Sequence, residues 1–216
     1  LSGSLVYESI KLAHCFLLLQ LLPQSTYGVM GSIFSLIYLT TYIADLGATN
    51  SIPPFFHLFS QSKPNFKRFL LRYSLAPHLP ILCACAAGAA LFATIKFSTL
   101  PYLLIIPAII ILEAIRSFLR LLLHITFQAK RTVAVEVSLF VLYLGIIWIP
   151  YFLLGAQITL NSIFMTHLVD SALAVSIFIA LMHKYYKRLA PAEASTLPHN
   201  LAKRLAVTRL FNYLLR

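Results

Sequence analysis

The chain has 216 residues, of which 60% are hydrophobic and only 11% charged, and its mean hydropathy is +0.85. A soluble domain must cover itself with polar side chains, so this composition excludes one. A formal charge of +11 would fit a nucleic-acid surface, but the basic residues fall in short clusters between apolar runs, which argues for an anionic membrane surface and against nucleic acid.

A helix needs about 20 mostly apolar residues to cross the hydrocarbon layer, so the length predicts an all-α, polytopic membrane bundle of about six transmembrane helices over residues 1–188. The first predicted span runs from Leu5 to Leu22 and stops at Pro23-Gln24-Ser25. It carries Glu8 and Lys11 and lacks a small-residue cleavage site, so it reads as a span behind a trimmed start at Leu1 and not as a signal peptide. The second begins near Tyr27-Gly28 and reaches Asp45-Leu46-Gly47, and Pro53-Pro54 then breaks the helix. Residues 55–72 read as an amphipathic, basic connection at the inner interface, anchored by Phe55, Phe56, Phe59 and Phe66.

The third span, Leu75 to Thr94, carries Ala84, Ala86, Ala87, Gly88, Ala89 and Ala90, small side chains that let a neighbouring helix approach. Its Cys83 and Cys85, like Cys15, read as reduced packing residues, because CAC is neither a redox pair nor half of a zinc site. The fourth, fifth and sixth spans run from Tyr102 to Leu123, Val133 to Leu154 and Ser162 to Met182. Trp148, Tyr151 and Phe152 mark the outer end of the fifth, and Tyr185 and Tyr186 the inner end of the sixth. Residues 189–216 form a basic cytoplasmic linker and an amphipathic segment from Asn200 to Arg216; either the chain ends on that segment or a further span begins beyond it.

Fifteen of the 17 Lys and Arg residues lie in alternate connections, in the end of the fourth span that leads into one of them (Arg116 and Arg120), or in the tail, and the intervening connections hold only Lys96. That asymmetry predicts that both termini and the basic loops face the cytoplasm.

Charge at membrane depth is costly and needs a partner, a wet cavity or a function. In the fourth span Glu113, Arg116, Arg120 and His124 fall within a wedge of about 80° on the helix wheel. Either Glu113 pairs with Arg116 while Arg120 and His124 snorkel to the interface, or the stripe lines an aqueous cavity where an arginine meets an anionic substrate. Glu8, Lys11 and His14 step along one side of the first span, where Glu8 and Lys11 read as a self-neutralising pair. His167 and Asp170 share a face of the sixth span and form a buried pair, a proton site or an inter-helix contact. Glu136 and Asp45 are interfacial or deep. Enzyme signatures such as GxSxG, HExxH and a Gly-rich phosphate loop are absent, so neither an enzyme nor a cofactor is expected.

The stretch LLPQSTYGVMGSIFSLIYLTTYIADLGATNSI resembles the N-terminal region of polysaccharide-biosynthesis flippases, the O-antigen and lipid-linked oligosaccharide exporters of the multidrug/oligosaccharidyl-lipid/polysaccharide superfamily. The resemblance rests on Tyr27-Gly28 after the first polar turn, Asp45-Leu46-Gly47 at the end of the second span, and Ala129-Lys130-Arg131-Thr132 before the fifth. It implies one six-helix lobe of a MATE-like, alternating-access transporter in a bacterial inner membrane: a fragment, a split gene product, or a half-transporter that pairs with a second lobe or a homo- or hetero-oligomeric partner. Under that reading, helix faces and charge make Arg116, Arg120 and Lys11 candidates for contacting a lipid-linked sugar pyrophosphate, and Glu8, Asp45, Glu113 and Asp170 candidates for balancing charge or coupling ions. A multidrug or cation exporter of the same superfamily and a non-transporting scaffold are the alternatives.

The predicted topology is checked by single cysteines in a cysteine-free background. At Lys67 or Lys187 they should react with a membrane-impermeant maleimide only after the inner leaflet is opened, and at Gln157 in intact cells.

Overall fold

The computed structural model of the chain describes residues 2–45, 52–60, 62–71, 76–97, 100–126 and 128–189. Among these residues the secondary structure is helical throughout, with no strand. Eight α-helices follow in order: α1 (Ser2–Leu21), α2 (Gln24–Asp45), α3 (Phe56–Phe59), α4 (Lys63–Arg68), α5 (Ala76–Phe97), α6 (Leu100–Ile125), α7 (Ala129–Leu154) and α8 (Leu160–Arg188), with a 3-10 turn at Pro53–Phe55 before α3. All but α3 and α4 have between 20 and 29 residues.

By length and composition three stretches can cross a membrane, Gln24–Ile43, Ala129–Leu154 and Leu160–Arg188. Shorter apolar stretches lie in α1 (Leu12–Leu21) and α5 (Leu79–Phe92). Helix α6 is apolar except for Tyr102, Glu113, Arg116, Ser117, Arg120 and His124. The helices extend past the predicted spans because apolar windows stop at charges and helices do not. Lys130 and Arg131 open α7, and Lys187 and Arg188 lie in the last turn of α8, where cations complement the helix dipole. The predicted tail, residues 190–216, and the Leu46-Gly47 end of the second span lie outside the described residues.

The turns follow from local chemistry. Pro23 ends α1, and its carbonyl accepts the Tyr27 N–H at 2.9 Å inside the new helix. Gly155 closes α7 at φ 62°, a left-handed conformation that glycine adopts without a Cβ penalty. Four residues later Thr159 opens α8 with a reciprocal cap. The Ser162 N–H donates to Thr159 Oγ1 at 3.2 Å, and the Thr159 N–H donates to Ser162 Oγ at 3.1 Å. Pro80, Pro107 and Pro150 lie inside α5, α6 and α7, where neighbouring helices and local adjustment compensate the lost backbone bonds.

Helix α6 is the central element and packs on α8, α5 and α2, while α7 leans chiefly on α8. One apolar core gathers Ile33 and Ile37 of α2, Ala86 and Ala89 of α5, Ile106, Ile109 and Ile110 of α6, and Phe164 of α8. Only part of the small-residue run serves as contact surface: Ala86 and Ala89 are buried, whereas Ala87 and Gly88 face outward. The three cysteines carry free thiols, and Cys15 and Cys83 are exposed instead of packed in the core.

A second core corrects the reading of residues 55–72. Phe56, Phe59 and Phe66 do not anchor in the interface. With Phe69 they are buried against Leu122 and Leu123 of α6 and Phe178 and Met182 of α8. The Phe59 and Phe69 rings stack with centroids 4.3 Å apart. The Phe55 side chain lies outside the described set. This segment is an aromatic floor sealing one end of the bundle, with Lys67 and Arg68 on its exposed side.

The outside of the bundle is apolar: Leu12, Phe16, Leu39, Leu91, Leu104, Val141, Ile149 and Ile179 are all exposed. Polar groups inside and a continuous apolar exterior are what lipid demands of a helical protein. Replacing Phe59 or Phe69 by alanine should destabilise the protein by about 3–5 kcal/mol, and Phe16→Ala on the exposed face of α1 by about 0.5 kcal/mol or less. Unfolding in mild detergent, followed by circular dichroism, measures the difference.

Candidate functional site

Between α1, α2, α6, α7 and α8 lies a cavity of about 570 Å³, within the size range of small-molecule sites. Tyr27, Phe34 and Tyr38 of α2 and Phe140 and Tyr143 of α7 form its aromatic walls. Glu113, Arg116 and Arg120 of α6 enter it as a stripe, meeting Glu136 of α7 and His167 and Asp170 of α8. The i, i+3, i+7 spacing brings all three α6 residues onto this side of the helix. His124, the fourth member of the stripe, is exposed and does not line the cavity.

Arg116 is the centre of the cluster. Its Nη1 donates to Glu113 Oε1 at 3.1 Å and to Asp170 Oδ2 at 2.9 Å, and its Nε stands 3.8 Å from Glu136 Oε1. The side chain is buried, so the ion pairs form where water screens little and charge-assisted hydrogen bonds are strong. Glu113 Oε1 also accepts from Ser171 Oγ at 2.6 Å, which ties α6 to α8 a second time. Arg120 differs: its Nε meets Glu136 Oε1 at 2.9 Å, yet its side chain is 42% exposed.

Among the described residues three carboxylates thus face two guanidiniums, an excess of one negative charge when both imidazoles are neutral. The other wall is held by His14 of α1, whose Nδ1 accepts the Trp148 Nε1–H of α7 at 3.0 Å. His14 also packs edge-on to Tyr143, with ring centroids 5.5 Å apart.

Of the sequence-derived candidates, the structure brings Glu113, Arg116, Arg120 and Asp170 together. Both readings of the fourth span hold in part, because Glu113 pairs with Arg116 and the stripe also lines a cavity. Asp170 bonds across helices to Arg116, and His167 stands 3.8 Å from Glu113. Glu136, left open between interface and depth, joins the cluster with its side chain 12% exposed. The backbones of Glu8 and Lys11 lie in α1 and that of Asp45 ends α2, but their side chains are outside the described residues.

Sequence reasoning missed Ser171, the aromatic walls and the Trp148–His14 bond. Trp148 read as an interfacial residue, and one helix wheel does not reveal which helix stands opposite. No protein-family model, curated protein or solved structure matches the chain.

Removing one partner from a buried ion cluster strands the others. Arg116→Met should therefore destabilise the fold by about 3–5 kcal/mol, and Arg120→Ala, half exposed and held by one carboxylate, by about 1 kcal/mol or less. Thermal denaturation of both variants in the same lipid gives the comparison.

Proposed function

We propose that the chain is one lobe of a membrane transporter that flips or exports a lipid-linked oligosaccharide or polysaccharide precursor by alternating access. In this reading α1, α2, α5, α6, α7 and α8 are six spans of a bacterial inner membrane, with both termini cytoplasmic and a second lobe completing the cavity. The observation that carries the proposal is a cavity with aromatic walls and a charged cluster, enclosed by helices whose outer faces are apolar.

The cavity chemistry suits an amphipathic, anionic cargo. Aromatic faces such as Tyr38 and Phe140 pack against the C–H faces of sugar rings, and a guanidinium recognises a phosphate by paired hydrogen bonds. Arg120, not Arg116, is the cation placed to do so. Arg116 is buried and bonded through Nη1 to Glu113 and Asp170, whereas Arg120 combines one carboxylate contact with a side chain that is 42% exposed. Arg116 then serves to hold α6, α7 and α8 in register around the cargo.

The excess carboxylate favours a second reading, a cation exporter, in which Glu113, Glu136 or Asp170 meets a cationic substrate. One pair of probes separates the two. In proteoliposomes the flippase reading expects binding of a prenyl diphosphate that Arg120→Ala lowers at least about tenfold while leaving thermal stability near wild type. Preferential binding of tetraphenylphosphonium instead establishes the exporter reading, and binding of neither probe points to a non-transporting scaffold.

A further inference from the structure

We propose that His167 is a proton-binding site of the cavity, which takes up a proton to balance the excess negative charge of the cluster and closes onto Glu113 as it does so. His167 Nε2 is buried without a hydrogen bond, 3.8 Å from Glu113 Oε1. That is about 1 Å longer than a charge-assisted hydrogen bond. With its hydrogen on Nδ1, a neutral imidazole offers the carboxylate no hydrogen bond from Nε2, whereas an imidazolium donates from both nitrogens whichever tautomer it forms from. A proton added at Nε2 would close the gap.

The surroundings of the ring point the same way. Glu113 stands 3.8 Å from it on α6, Tyr143 of α7 is edge-on to it with centroids 6.4 Å apart, and Asp170 stands one turn along α8; Arg116 and Arg120 of α6, Tyr38 of α2, Glu136 of α7, and His14 and Cys15 of α1 line the same cavity. Arg116 opposes a second positive charge, but it is already bonded to Glu113 and Asp170. Asp170 Oδ1 is a further buried oxygen with no hydrogen bond. Phe34 stands edge-on to the imidazole, with centroids 5.2 Å apart, so the ring is held where its Nε2 meets the carboxylate. Among these groups imidazole is the one whose charge ordinarily changes near neutral pH.

Coupling to cargo rests on the lipid-linked reading above. A diphosphate at Arg120 adds negative charge, which favours the proton at His167, and by linkage the proton favours the diphosphate to the same degree.

The test uses the full chain in lipid nanodiscs with ¹⁵N-labelled imidazoles. His167 is one of seven histidines, and its resonance is identified by its loss in H167Q and, independently, in H167N. The proposal expects that resonance to titrate between about pH 4 and about pH 9, with a midpoint moved by about one unit or more in E113Q. A His167 that keeps one protonation state over that range, or a midpoint unmoved by E113Q, overturns it. Adding a short prenyl diphosphate should move the midpoint again. A titrating, Glu113-dependent His167 that ignores the diphosphate keeps the proton site and removes the lipid-linked cargo.

Discussion

The structure turns on one buried guanidinium. The chain holds only six acidic residues against 17 basic ones, and three of the six, Glu113, Glu136 and Asp170, converge on Arg116. A lone charge in a membrane bundle is expelled, neutralised or surrounded. Here it is surrounded, from its own helix and from α7 and α8. Helix α6 can therefore occupy the centre of the bundle only if α7 and α8 present their carboxylates at that depth. The pairing sets the rotation and axial position of three helices together, which apolar packing against lipid-like neighbours does less sharply.

Around that constraint the fold is inverted relative to a soluble protein. Apolar side chains cover much of the outside, and the ion cluster of Glu113, Arg116, Glu136 and Asp170 sits within. The ends are closed by local devices: the Pro23 stop, the Gly155 cap and the Thr159–Ser162 box. The aromatic floor at Phe56, Phe59, Phe66 and Phe69 closes one end of the bundle, which leaves the cavity as the place where ionisable groups gather.

The positions of the long helices were legible because hydropathy and proline mark where each one stops. The face of α6 that carries the charge was legible too, since Glu113, Arg116 and Arg120 recur at helical spacing. Partners across helices were not. A wheel gives the angle at which Arg116 leaves α6 but not the identity of the helix it meets, so the depth of Glu136 stayed open and Ser171 carried no signal. The reading of residues 55–72 failed for a related reason: phenylalanines beside lysines form the same pattern whether the rings point into lipid or into the bundle. Only Leu122, Leu123 and Phe178 behind them decide it.

Ser171 gives the cluster a last property. Its hydroxyl has a single hydrogen and two acceptors in reach, Glu113 Oε1 at 2.6 Å on the neighbouring helix and the His167 carbonyl at 2.8 Å one turn back on its own. At any instant only one of them can receive it. The hydroxyl is thus a rotor with two stops, one bracing α8 internally and the other lashing it to α6. Whatever alters the hunger of the Glu113 oxygen for protons also shifts this rotor, so that rigidity along α8 and adhesion between α6 and α8 trade against each other.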